Sequence, residues 1–182
     1  MIFLKFQFQV IKVKLWFDKT DLKSTEHMKI DKINFCDTDN GATLDLLVIV
    51  VSSADHFQAR QAIRKTWGQF AVERGAFLLF LLGSTEDNQI QTKIIEEDKQ
   101  HNDILQGQFN DHYYNLTLKT ISMMKWISEN CQNVKWVLKV DDDMFVNMQF
   151  IADFSETRTI SNVIIGMFIY FNILKSHYNH TD

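Results

Sequence analysis

The chain has 182 residues, 46% of them hydrophobic, which is enough for one domain, or part of one, with a packed core. Nineteen basic residues face 23 acidic ones, a net charge of −4 that argues against a dedicated nucleic-acid binder, since such proteins carry a basic surplus. The 6 glycines are scattered and there is no proline, which excludes a Walker A loop and a G-x-G-x-x-G fingerprint, because both need clustered glycines.

Residues 1–43 read as a leader or stem-like segment. Met1 to Phe17 is apolar but interrupted by Lys5, Gln7, Gln9, Lys12 and Lys14. It alternates as a strand does and is neither a clean signal peptide nor a membrane span of about 20 apolar residues. From Leu44 the pattern changes. Leu44 to Val51 is a β-branched run typical of a strand buried on both faces. Asp55 and Gln58 have the spacing of a capping box for a helix over 56–67, with Gly68 as its stop. Phe77 to Leu82 reads as a second strand, Ser84 to Gln100 as a polar helix and Asp103 to Phe109 as a third strand. Asp111 to Cys131 carries an apolar stripe at spacings of three and four and predicts a long helix. Val134 to Val140 is a fourth strand, followed by a short helix near 148–154 and a last strand near 163–170. Strands alternating with helices predict an α/β fold with a mostly parallel sheet, whose ligands sit beyond the carboxyl ends of the strands.

Asp141-Asp142-Asp143 is the sharpest chemical feature. Adjacent carboxylates repel and raise each other's pKa unless a cation neutralises them. Alternate residues of an extended chain share a face, so Asp141 and Asp143 point together and Asp142 points away. Such a pair suits Mg²⁺ or Mn²⁺ held jointly with a diphosphate. The alternative is a solvated acidic turn. An EF-hand is excluded, because Phe145 and Val146 stand where oxygen ligands and glycine are required. Arg60 and Arg64 lie four apart on the first helix, and repulsion between them is relieved by an anion or by solvent. Trp67 reads as a core residue rather than a stacking platform. Cys36 and Cys131 are either a disulfide or two buried thiols, and they do not have the spacing of a zinc site. Asn115-Leu116-Thr117 and Asn179-His180-Thr181 are glycosylation acceptor triplets.

Taken together, these segments resemble a known family. The segments are His56-Phe57, Arg60 to Gly68, Phe80 to Gly83, Asp103-Ile104, Phe109, Asp111, Tyr114 to Thr120, Lys125-Trp126, Cys131, Lys139, and Asp141-Asp142-Asp143 with Phe145-Val146-Asn147. In this order they resemble the β-1,3-galactosyltransferases and β-1,3-N-acetylglucosaminyltransferases of glycosyltransferase family 31. The resemblance implies a Rossmann-like GT-A nucleotide-sugar transferase fold with a D-x-D motif. It implies a hexosyltransferase that moves galactose or N-acetylglucosamine from UDP-galactose or UDP-N-acetylglucosamine to a glycan acceptor, in β-1,3 linkage and with inversion. Asp141 and Asp143 would hold Mn²⁺ or Mg²⁺. Arg60, Arg64, Lys119, Asp141 and Asp142 would bind the donor. Asn115 would carry a glycan, and Cys36 and Cys131 would be oxidised, though not necessarily to each other. Members are type II Golgi membrane proteins facing the lumen, whereas this sequence shows no convincing anchor.

The acidic motif that supplies the family's catalytic base has no counterpart here and is expected beyond residue 182. Residues 44–182 are therefore expected to form the donor-binding part of a C-terminally truncated domain. The alternative reading is a non-catalytic UDP- and metal-binding module that lacks the acceptor site.

Overall fold

The computed structural model describes residues 5–12, 28–32, 35–36, 39–112, 115–157 and 163–169. The acceptor triplet at Asn179 lies outside them. Leu46–Val51 (β3), Phe77–Ser84 (β4), Ile104–Asn110 (β5) and Trp136–Asp141 (β6) form a parallel core, in the order β5-β4-β3-β6. Between them run Phe57–Arg64 (α1), Trp67–Glu73 (α2), Asn88–His101 (α3) and Leu116–Asn130 (α4), and Met148–Thr157 (α5) follows β6. This is the α/β, mostly parallel arrangement that the strand–helix alternation predicts, and it is consistent with the GT-A-like fold that the family resemblance implies.

Two strands come from the segment read as a leader. Lys5–Lys12 (β1) pairs antiparallel with both β6 and Val163–Ile169 (β7), and Met28–Ile30 (β2) pairs antiparallel with β5. The sheet therefore has seven strands, in the order β2-β5-β4-β3-β6-β1-β7. The alternation of Lys5 to Lys12 was the relevant signal, but its partner strands are far away in sequence. No local pattern could assign it to this sheet.

β3 is buried on both faces because helices cover both. Leu46, Val48 and Val50 pack with Ile63, Trp67 and Ile151 on one side. Leu47 and Ile49 pack with Met123, Trp126 and Ile127 of α4 on the other. Cys36 and Cys131 are disulfide-bonded to each other and lie buried beside that second cluster. Of the two sequence alternatives, the disulfide is the one present.

The helix over 56–67 is shorter than predicted and is followed by another. His56, not Asp55, occupies the position before α1, and no side chain caps it. Gly68 does not stop a helix but lies inside α2. A Cβ there would stand 2.7 Å from the Ile63 carbonyl oxygen, so glycine is what lets α2 turn tightly against α1. The polar helix starts at Asn88, where the Asp87 carboxylate accepts hydrogen bonds from the Gln89 and Ile90 amides. The long helix starts at Leu116 rather than Asp111, which frees Asp111 for the role described below. Among the described residues, no helix is long and apolar enough to cross a membrane.

Candidate donor-binding site

The strand that ends in the triple aspartate lies beside the first core strand, with Asp141 paired to Val51. The Asp142 amide donates to the Val51 carbonyl at 3.2 Å, which continues the pairing one residue into the turn. The Met144 amide closes the turn on the Asp141 carbonyl at 3.3 Å. The buried Trp67 donates its indole N–H to the Met144 carbonyl at 3.1 Å. Trp67 is therefore a core residue, and it also fixes the chain just after the aspartates.

The three carboxylates have separate surroundings. Asp141 lies 3.6 Å from the Lys139 ammonium. Asp142 turns inward: its Oδ2 accepts from the Ser52 hydroxyl at 2.6 Å and lies 2.9 Å from His56 Nδ1. Asp143 is exposed and makes no hydrogen bond or ion pair among the described residues. The repulsion expected of three consecutive carboxylates is thus relieved at two of them, and the third faces solvent. Ser52, His56 and Asp142 do not form a hydrolytic triad. Both Ser52 and His56 turn to the carboxylate, and no base faces the Ser52 hydroxyl.

Arg60, Arg64 and Lys119, expected beside a nucleotide, are spent on the protein itself. Arg60 is fully buried. Its Nε and Nη2 donate to Glu97 on α3, its Nη1 to Ser52 Oγ at 3.1 Å and the Ser53 carbonyl at 2.6 Å, and its Nη2 also to the Ala54 carbonyl at 3.3 Å. A guanidinium has five N–H donors, and all five are used. Arg64 forms a bidentate pair with Asp103, just before β5, and also reaches Glu97. That places it toward the amino end of β5, away from the aspartate turn. Burial alone would lower the Arg64 pKa, but hydrogen bonds and charge from Asp103 and Glu97 outweigh it and raise the pKa. Burial alone would raise the Glu97 pKa, but hydrogen bonds from Arg60 and Arg64 and their charges hold it below its ordinary value. The Arg60–Arg64 repulsion is relieved by an anion, as the spacing predicts, but that anion is Glu97.

Lys119 is buried on α4 and donates to the Ser52 carbonyl at 2.8 Å and to Asp111 at 2.7 Å. The other oxygen of Asp111 accepts from the Ala54 and Gly83 amides, both at 3.0 Å. The loop after β3 is thus held from one side by Arg60 and from the other by Lys119 and Asp111. The sequence marks His56 and Asp111 only as residues of the family resemblance, with no role attached, and does not mark Ser52 or Glu97. Ser52 and Asp111 end or follow strands and could have been flagged by position. Glu97 sits in a polar helix where nothing marks it. Asn115 precedes α4 and donates its Nδ2 to the Asn110 carbonyl at 2.9 Å.

No group of three histidine, cysteine, aspartate or glutamate residues converges as a metal cage among the described residues. Asp141 and Asp143 can supply two hard oxygen donors, which fits a cation whose remaining ligands come from a diphosphate and water. A cavity of about 510 Å³ lies between α2 and the starts of β4 and β5, near Phe77 and Asp103. It is at the opposite end of the sheet from the aspartates, so the chemistry of the strand ends decides where the site lies.

In an open α/β sheet, ligands lie beyond the carboxyl ends of the strands, and the carboxylate turn stands at that edge. The Galactosyltransferase family model matches residues 58–182, and the chain belongs to that family. It is 37% identical to beta-1,3-galactosyltransferase 2 of Homo sapiens over 112 residues, covering 59% of this chain and 26% of that protein. It is 40% identical to beta-1,3-galactosyltransferase 5 of Mus musculus over 110 residues, covering 59% of this chain and 36% of that protein. With beta-1,3-galactosyltransferase 4 of Mus musculus the identity is 41% over 105 residues, covering 57% and 28% of the two chains. The chain thus spans between about a quarter and just over a third of the length of these relatives.

Proposed function

We propose that this chain is the donor-binding part of a metal-dependent β-1,3-galactosyltransferase that uses a UDP-sugar. The observation that carries the reading is the aspartate turn at the carboxyl end of β6, with Asp142 anchored inward and Asp143 facing out. The relatives favour galactose over N-acetylglucosamine as the transferred sugar. Asp141 and Asp143 would hold Mn²⁺ or Mg²⁺ together with the diphosphate. When bound, such an ion supplies Lewis-acid stabilisation to the leaving diphosphate. The protein's part is to keep the two carboxylates fixed. Trp67 holds the segment that follows them, and Ser52 holds Asp142 between them. Arg60 and Lys119 act by fixing the loop after β3 rather than by touching phosphate.

In the proposed transfer, an acceptor sugar hydroxyl forms a bond to the anomeric carbon from the face opposite the UDP. The carbon–oxygen bond to the diphosphate breaks, UDP leaves, and the hydroxyl proton passes to a base. This inverts the anomeric carbon. The Cys36–Cys131 disulfide supports an oxidising compartment such as the Golgi lumen as the proposed location, with Asn115 as the proposed glycan acceptor.

The test is a thermal-shift titration with UDP, with and without Mn²⁺, on the wild type and Asp143→Ala. A ligand bound only by the folded state adds about 2.7 kcal/mol at a hundredfold excess over Kd. That corresponds to a rise in Tm of roughly 5–11 °C for a chain of this size. The rise should need both ligands and vanish in Asp143→Ala. A cooperative melt with no response to either ligand refutes the reading.

A further inference from the structure

The middle aspartate of the turn is joined to the interior by a continuous polar chain. Glu97 on α3 pairs with Arg60 at 2.8 Å, and the Arg60 Nη1 donates to Ser52 Oγ at 3.1 Å. The Ser52 hydroxyl in turn donates to Asp142 Oδ2 at 2.6 Å. His56 closes the chain at the surface, with Nδ1 2.9 Å from the same oxygen and a side chain that is 52% exposed.

The direction of each hydrogen bond is fixed. Arg60 can only donate, so the Ser52 oxygen accepts from it, and the Ser52 proton goes to Asp142 at 2.6 Å in preference to the Ser53 carbonyl at 3.4 Å. A serine that accepts from a cation is a better donor, because hydrogen bonds in a chain polarise one another. Arg60 and Ser52 are buried, Glu97 and Asp142 are partly buried, and no side-chain polar atom buried among the described residues lacks a partner. The chain therefore has one arrangement, and that arrangement commits Asp142 to the protein. Its neighbours do not follow it inward. Asp141 ends β6 beside Lys139 and Asp143 lies exposed in the turn, so neither shares the Ser52 contact.

We propose that Glu97, Arg60 and Ser52 are positioning residues for the aspartate turn, with Asp142 as its anchor rather than a ligand, so that Asp141 and Asp143 are presented outward together. Their role in cation and diphosphate binding rests on the functional reading above, whereas the ordering of the turn does not.

Two measurements on the full chain separate these points. The first is residue-resolved amide hydrogen exchange of the unliganded protein, comparing Ser52→Ala, Ser52→Thr and His56→Ala with the wild type. The second is Mn²⁺ affinity in the presence of UDP, read by electron paramagnetic resonance. In Ser52→Ala, exchange at the Asp142 and Met144 amides should rise tenfold or more while the β4 amides stay unchanged. Mn²⁺ affinity should fall about tenfold. Ser52→Thr keeps the hydroxyl and should restore both. His56→Ala changes a half-exposed side chain, so it should fold and shift exchange in the same direction. It thereby serves should Ser52→Ala fail to fold.

Unchanged exchange at Asp142 and Met144 in the folded variants overturns the proposal. So does faster exchange with Mn²⁺ affinity equal to that of a wild type that binds. If exchange responds but the wild type binds neither Mn²⁺ nor UDP, the positioning stands and the functional reading fails.

Discussion

Breaking the Cys36–Cys131 bond should cost this protein a large part of its stability. The bond links the segment after β2 to the end of α4, across a sequence separation of 95 residues. In the chain-entropy description, closing a loop of that length removes about 16 cal/mol/K from the unfolded ensemble, or about 4.7 kcal/mol at 25 °C. Native disulfides in practice contribute about 2–5 kcal/mol. The native protein stays closed without the bond, because both residues sit in a cluster that includes Leu44, Met123, Ile127 and Val137. The loss therefore falls mainly on the unfolded side of the equilibrium. We expect reduction to lower the unfolding free energy by about 2–5 kcal/mol, or the Tm by roughly 5–20 °C.

The assay is equilibrium urea unfolding followed by tryptophan fluorescence. It compares oxidised protein, reduced protein and a Cys36→Ala/Cys131→Ala variant. Reduction keeps both sulfur atoms in the core and the alanine variant removes them, so the difference between the two reports packing alone. A reduced protein within about 1 kcal/mol of the oxidised one refutes the entropic reasoning.

Two further outcomes follow from the polar braces. Gly83→Ala would place a Cβ 2.8 Å from the Asp111 Cα and 2.9 Å from its backbone nitrogen. Backbone cannot swing aside, so a loss of about 1–3 kcal/mol is expected, measured by urea unfolding; a neutral substitution contradicts the close approach of β4 to Asp111. Acid stability should depend on Glu97, whose folded pKa lies below its ordinary value of 4.5. The unfolded state takes up the proton more readily, so this contribution is complete above about pH 4.5 and is lost as pH falls through the folded pKa. Glu97→Gln should be about 3–5 kcal/mol less stable at pH 7, because Arg60 loses its buried partner charge. It should also lose stability less steeply below pH 4.5. An acid limb identical to that of the wild type would show that Glu97 is not the titrating group.

Local pattern was enough for much of this architecture. The apolar runs at Leu44 to Val51, Phe77 to Leu82 and Val134 to Val140 are strands because nothing but a doubly covered sheet can bury such runs. The stripe from Leu118 to Ile127 is a helix because its spacing matches 3.6 residues per turn. Alternation along a strand predicts Asp142 apart from Asp141 and Asp143, but residues 142 and 143 lie in a turn, and it is the Ser52 hydroxyl that holds Asp142 inward.

What local pattern could not supply was the partner of each polar group. The spacing of Arg60 and Arg64 implies two cations in need of an anion or solvent, but the anion they meet stands more than thirty positions away on α3. Lys119 finds Asp111 only because α4 starts late and leaves Asp111 in the preceding loop. The strand at Lys5 to Lys12 takes its place between β6 and β7 through hydrogen bonds to residues more than a hundred positions away. Composition and periodicity are short-range properties and decide which residues are strand, helix or core. Charge pairing and strand order depend on which distant groups meet once the chain is closed, and in this protein the tertiary structure alone decided them.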